Sequence, residues 1–310
     1  KYTELFPTIN IGFERTEDQS FTVGYSRRLR RPRFWYLNPF ESRSSQNVIY
    51  KGNPGLTPTF TNSFDLGYLQ KIGKLTLNSS IYFQHSINSI LRVSRDEIRL
   101  LDGVNQVITI REPINLASED RFGFELTANY NPSKKVRLSG SFNVFQQESK
   151  GLYAYNKFII DEITGAISAT PETQDLGNTN NSWFTRFNAT FSLPWKIQMQ
   201  NRLSYRGPRN TAQSESEGIF SANIALSKDV LKEKGSLVLN VSDVFNSRKR
   251  KSTNYNPSIE NPTSISYQES QWRVRQVSLN FTYRFNQKKK QQRDRRGGED
   301  FEGGEDFGTP

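Results

Sequence analysis

The sequence of 310 residues holds one histidine and no cysteine. That removes thiolate nucleophiles, disulfide frameworks and multi-histidine zinc sites. Any Ser-His-Asp triad would have to use His85, which reads instead as a polar residue near the end of a strand. Asp161, Glu162, Glu172 and Asp175 offer oxygen ligands for calcium but lack the spacing of an EF-hand loop. No carboxylate pair or activated nucleophile stands out, so neither an enzyme nor a cofactor is expected. The densest chemistry is the run Arg27, Arg28, Arg30, Arg31 and Arg33. Guanidinium forks pair with phosphate and carboxylate, so the run suits lipopolysaccharide phosphates or an anionic substrate. The alternative is a solvated charge run with acidic partners on neighbouring strands.

The elements that carry these residues follow from periodicity. Leu75, Leu77, Ile81 and Phe83 alternate with Thr76, Asn78, Ser80 and Gln84. Phe122, Phe124, Leu126, Ala128 and Tyr130 alternate with Gly123, Glu125, Thr127 and Asn129. Val277, Leu279, Phe281, Tyr283 and Phe285 close the pattern against Ser278, Asn280, Thr282 and Arg284. Period two means strands with one apolar and one polar face. About eleven such strands are expected, at 3–15, 20–31, 58–71, 74–92, 119–131, 135–148, 182–193, 196–207, 217–229, 236–247 and 266–285. Several reach the ~9–11 residues that a strand needs to cross a bilayer.

Connections alternate in length. Short links such as Ile72-Gly73 and Pro194-Trp195 alternate with long ones at about 29–57, 93–118, 149–181, 208–216 and 248–265. Short turns on one side and long loops on the other describe an all-β, antiparallel, up-and-down transmembrane barrel of the outer membrane, with periplasmic turns and extracellular loops. This also accounts for the composition. Hydrophobic residues are only 34%, yet aromatics reach 13%, with 22 Phe and 13 Tyr. The apolar faces meet lipid, while Glu125, Arg137, Arg186 and Arg202 suit a wet lumen. Tyr25, Tyr68, Tyr130, Trp183, Trp195 and Tyr205 fall near strand ends, where aromatic girdles lie.

The net charge of +11 and the basic runs superficially resemble a nucleic-acid binder. Alternating strands with segregated loop lengths argue against that reading. Strand parity adds an expectation. The first strand begins on the loop side and the count is odd, whereas an isolated bacterial barrel has an even count. Lys1 is therefore read as internal to a larger barrel. Within the loops, Pro32, Pro39, Pro54 and Pro58 with Gly52 and Gly55 stiffen the first, either as a substrate-facing lid or folded back on the rim. Phe158–Ser168 reads as a small hairpin in the third. Residues 1–286 form the barrel portion. Residues 287–310, basic and then repeating Gly-Gly-Glu-Asp-Phe, predict a disordered periplasmic tail.

Several segments carry a resemblance. They are Tyr25-Ser-Arg-Arg-Leu-Arg-Arg-Pro-Arg-Phe-Trp-Tyr-Leu-Asn-Pro-Phe40, Gly52-Asn53-Pro54-Gly55-Leu56-Thr57-Pro58, Tyr205-Arg206-Gly207-Pro208-Arg209, Val241-Ser242-Asp243-Val244-Phe245-Asn246 and Phe281-Thr282-Tyr283-Arg284-Phe285. Together the chain resembles the TonB-dependent-receptor-like barrels of Bacteroidetes, including the SusC branch. The resemblance implies a barrel of roughly 22 strands, of which these would be the C-terminal half. It implies uptake of an iron chelate, a glycan or a peptide through a plugged barrel. It also implies coupling to TonB through a part outside this sequence, and a SusD-like lipoprotein lid. The alternating final strand, Val277 to Phe285, is similar to the signal read by barrel-assembly machinery. The rival reading keeps the barrel as a non-transporting scaffold in an outer-membrane biogenesis or secretion complex.

Overall fold

The computed structural model describes residues 3–45, 47–101, 103–161 and 163–285. The 287–310 tail and Glu162 lie outside the described residues. Eleven antiparallel strands form one sheet in chain order. They are β1 Thr8–Thr16, β2 Gln19–Arg30, β3 Thr59–Ile72, β4 Leu75–Ile87, β5 Ser118–Ser133, β6 Val136–Lys150, β7 Asn178–Leu193, β8 Ile197–Arg206, β9 Ile219–Val230, β10 Gly235–Ser242 and β11 Gln276–Tyr283. Each pairs only with its sequence neighbours in this series, and β1 and β11 are its two edges. All eleven expected strands are present.

Register carries one apolar row across the sheet. Val23 sits opposite Leu66, Leu66 opposite Ile81, and Ile81 opposite Phe124. Further along, Leu239 pairs with both Leu226 and Leu279. Directly paired residues share a face. This face is open: Ile11, Val23, Leu66, Phe122 and Leu279 are all exposed. The sheet therefore has no core on that side, and lipid is the solvent that fits it. The opposite face is polar, with Asp65, Glu125, Arg137, Asn143, Asn188 and Arg202 in the same alternation.

The six aromatic residues at strand ends divide evenly. Tyr25, Trp183 and Tyr205 lie toward the long-loop ends, and Tyr68, Tyr130 and Trp195 toward the turns. Tyr25 packs on Phe64 at 4.9 Å, and Trp183 stacks on Tyr205 at 5.9 Å.

The long loops are not irregular. The first contains a short helix, Phe34–Leu37, and strands Ser42–Ser45 and Val48–Tyr50. The second is a hairpin, Ile90–Leu101 with Val104–Asn115. Val48–Tyr50 adds to that hairpin in parallel, opposite Thr109 to Arg111. The third loop is a longer hairpin than expected, Leu152–Ile160 with Ile167–Asp175. The fourth and fifth build one four-stranded sheet from Arg209–Thr211, Ser214–Ser216, Arg250–Asn256 and Ser264–Ser270.

Four expected boundaries shift. The strand expected over 3–15 begins at Thr8. The 74–92 strand ends at Ile87 because Asn88 takes a left-handed φ of 57° and turns the chain. The 236–247 strand ends at Ser242, where Asp243 has a φ of 51°. The last strand, expected over 266–285, is two elements, Ser264–Ser270 in the loop sheet and β11 in the wall. Alternation continues across both, so periodicity alone cannot separate them.

Candidate functional site

The buried apolar clusters of the described residues lie in the loops. Val93, Leu116, Tyr153 and Leu176 form one cluster, drawing on the second and third loops. Ile49, Ile108 and Ile110 form another, joining the first loop to the second. Around them runs a polar network. Arg99 holds Glu41 through two hydrogen bonds of 2.8 Å and donates from Nε to Glu97 at 2.7 Å. Arg95 donates to Glu97 at 3.0 Å and to Glu112 at 3.3 Å. The Tyr153 hydroxyl donates to Glu112 at 2.5 Å. One charge chain thus binds three loops.

The electrostatics follow. Hydrogen bonds from Arg99 hold the Glu41 carboxyl below its ordinary range. Burial pushes Glu97 up, but the hydrogen bonds from Arg99 and Arg95 outweigh it and the net shift is downward. Burial, then Glu112, raises the Tyr153 hydroxyl, so it stays a donor.

Gln213 ties in the other loops. It is buried, its amide oxygen accepts the Ser94 N–H at 2.8 Å, and its Nε2 donates to Ser94 O at 2.9 Å and Pro257 O at 2.6 Å. Gln174 donates to the same Pro257 carbonyl at 2.6 Å. Thr263 donates to Asp96 at 3.2 Å. Five loops are therefore held as one cap over the long-loop end of the sheet.

The segments quoted from the sequence serve this cap. Asn53 donates from its backbone to Tyr36 O at 2.6 Å and from its side chain to Pro113 O at 3.3 Å. A Cβ on Gly52 would stand 2.2 Å from Asn38 O, so only glycine lets these strands meet. The Pro- and Gly-rich loop is folded onto the second loop. Asp243 is buried, and its carboxylate accepts the N–H groups of Ser247 and Arg248, both at 3.0 Å. This knot starts the fifth loop. Alternation could not reveal it, but an aspartate placed just beyond a strand is a turn signal.

The polar face of β5 to β11 forms a concave wall with Asn129, Arg137, Asn188, Arg202, Asn223 and Asn240 among its lining. Arg202 donates to Asn188 at 3.1 Å, and Asn188 to Ser139 at 3.3 Å. Nearer the cap, Arg121 donates to Gln147 at 2.5 Å and lies 4.6 Å over the Phe145 ring. Arg209 of the fourth loop is accessible to solvent, yet the surrounding protein desolvates it; Glu119 opposes this, but with the Arg121 and Arg250 charges the net effect lowers its affinity for its proton.

The arginine run is split. On β2, Arg27 shares the apolar face with Val23 and Tyr25, while Arg28 and Arg30 fall on the polar face. Arg27 pairs with Glu4 at 2.9 Å and lies 5.5 Å from the Phe60 ring centre. Arg31 and Arg33 belong to the first loop, where Arg33 covers Trp35 at 5.3 Å. Five arginines adjacent in sequence therefore do not converge on one ligand position, because a strand alternates its faces. His85 pairs with Asp120 at 2.6 Å on the apolar side near the cap. Ser86, its sequence neighbour, faces the other way, so this imidazole has no triad geometry there. The oxygen ligands disperse too. Asp161 accepts the N–H groups of Ile163 and Thr164 at the hairpin tip, and Asp175 accepts that of Gly177 at its base. Glu172 faces Lys157 at 3.5 Å. Among the described residues no acidic or imidazole cluster is placed to hold a metal. Val277, Leu279, Phe281 and Tyr283 line the exposed apolar face of β11, and Phe285 follows beyond its end.

The chain belongs to the outer membrane protein beta-barrel family, which it matches over residues 1–283. No curated protein matches it. Among solved structures it is similar to a mutant ferric enterobactin receptor of Pseudomonas aeruginosa, with 15% identity and a TM-score of 0.50 over 78% of this chain and 34% of that one. It is also similar to the siderophore receptor PirA of Acinetobacter baumannii, with 12% identity, TM-score 0.49, 78% of this chain and 37% of that one. For the FrpB iron transporter of Neisseria meningitidis the figures are 16%, 0.49, 91% and 38%. The chain spans about a third of the length of these structures. At such identity the likeness is one of fold.

Proposed function

Taking membership of the outer membrane β-barrel family as premise, we propose that this chain is wall and cap of a TonB-dependent receptor that imports a nutrient. The observation that carries the reading is a polar, concave inner wall beneath loops that share a buried core. An ordered cap presents a fixed surface to solutes, and preorganised contacts cost less ordering on binding. The open apolar face turns to lipid, the loops outward to the medium and the turns to the periplasm. Substrate is captured at the cap and passes along the polar wall. Coupling to TonB, a lipoprotein lid and recognition of the final strand by assembly machinery enter this reading through the family resemblance.

The test is uptake. A strain lacking the gene is supplied singly with iron chelates, oligosaccharides and peptides as limiting nutrient. Loss of growth on one class, reproduced by a protonophore in the parent strain, supports energy-coupled import. Growth unchanged on every class, together with loss of a secretion or assembly phenotype, would favour the scaffold reading.

A further inference from the structure

The four-stranded loop sheet separates its charges by face. Arg209 sits opposite Ser216, and Ser216 opposite Ser252. Arg250, two residues before Ser252, therefore shares that face, with Ser270 opposite it. The other members are Thr211, Ser214, Asn254, Asn256, Ser264, Ser266 and Gln268. Hydroxyls, amides and two arginines make up the whole face. Glu215 and Glu269, the two carboxylates of these strands, stand on the opposite side. There Tyr255 donates to Glu215 at 2.9 Å, and Lys249 pairs with Glu269 at 3.0 Å. The arginines thus face away from the acids of their own sheet, and the carboxylate that acts on Arg209 is Glu119 of the wall.

A further observation points to an occupant. The sheet continues into the lumen wall. The Asn210 N–H donates to Asn180, which pairs with Gln147, which pairs with Arg121. The Nε of Arg121 is buried and unpartnered. Three guanidinium groups lie along one polar path from cap to lumen.

We propose that this face binds a small anionic polyol, a phosphorylated or carboxylated sugar-like solute. Arg209 and Arg250 take its phosphate or carboxylate, the serine and asparagine side chains take its hydroxyls, and Arg121 receives it at the lumen. Guanidinium forks match the planar oxygens of the anion. Rows of hydroxyls and amides supply both donors and acceptors. The proposal rests on the import reading for its purpose, but a binding measurement and an uptake measurement can fail separately.

The test is isothermal titration of the full-length protein, purified in detergent and stripped of lipopolysaccharide, with glucose 6-phosphate. Inorganic phosphate and glucose serve as half-ligands. Saturable binding is expected, tighter than for either half-ligand and weaker at high salt. Arg209→Gln with Arg250→Gln is expected to weaken it about tenfold or more, as loss of charged hydrogen bonds implies. Lys249→Gln with Lys251→Gln, on the opposite face, is expected to leave it unchanged. Retained protease resistance of the loops shows that the arginine variant has folded, and Ser252→Ala, beside both arginines on the same face, gives a second reading with both arginines intact. Absence of saturable binding would overturn the proposal, as would equal loss in both double variants. Binding of deacylated lipopolysaccharide core without binding of glucose 6-phosphate would assign the arginines to a lipid headgroup and overturn it too.

Discussion

The eleven-stranded sheet leaves Ile11, Leu66, Ile81 and Phe122 open along one face, whereas the loops enclose Ile49, Val93, Ile108, Ile110 and Leu176 almost completely. The two regions are built from similar strands, yet they place apolar side chains in opposite environments. In the sheet, register alone aligns apolar rows, and the bilayer supplies the matching phase. In the cap, surrounded by water, apolar side chains have only one another. The cap therefore needs what any soluble domain needs: a packed core, satisfied polar groups and crossed strands. It follows that the cap and the sheet should fail under different insults.

The largest effect expected is in the cap. Ile108→Ala removes the center of a small core and should cost about 2–5 kcal/mol of cap stability. Limited proteolysis should then cut within the first two loops, while the sheet keeps its heat-modifiable migration on gels. Cutting confined to the turns would break the distinction. Leu126→Arg reverses the experiment. A charge on the lipid face near mid-membrane should cost about 2–4 kcal/mol of insertion, read as a shifted urea midpoint in folding from detergent or lipid. Arg137→Leu on the water face should shift it far less.

Gln213→Ala should cost about 1–3 kcal/mol, because it leaves the half-buried Ser94 backbone groups without that partner. Hydrogen exchange should rise at Ser94 and in Arg250–Asn256 together, which reports coupling between separate loops. Acid gives a smaller effect. The Glu41 and Glu97 carboxyls are lowered in the fold. Their contribution is present above the ordinary value of 4.5 and fades as pH falls through the folded values. As pH falls below 4.5 and through the folded values, the first and second loops should loosen, seen as faster proteolysis by an acid protease, while the sheet stays intact.

The sheet was legible in the sequence because period two needs no knowledge of partners. Phe122 to Tyr130 and Leu75 to Phe83 state their own faces. The cap was far less legible. Its core uses isolated residues, such as Ile49 and Leu176, whose burial depends on loops distant in sequence. Its strongest ties, Glu41 to Arg99 and Gln213 to Ser94, link residues 58 and 119 positions apart. Nothing local announces such pairs. The arginine run shows the opposite error. Arg27, Arg28, Arg30, Arg31 and Arg33 look like one site because they are adjacent, and the alternation of β2 then sends them to different faces. Arg209 and Arg250, 41 positions apart by number, share a face through two strand pairings.

The central claim is that one face of the sheet meets lipid and the other water. Single cysteines placed in turn from Phe122 to Tyr130, in a chain with no native cysteine, can carry a nitroxide label in proteoliposomes. Accessibility to dissolved oxygen and to a polar nickel complex is then measured at each position. The account predicts strict alternation: Phe122, Phe124, Leu126 and Ala128 favour oxygen, and Gly123, Glu125, Thr127 and Asn129 favour nickel. Uniform access of the polar reagent to both sets would contradict it.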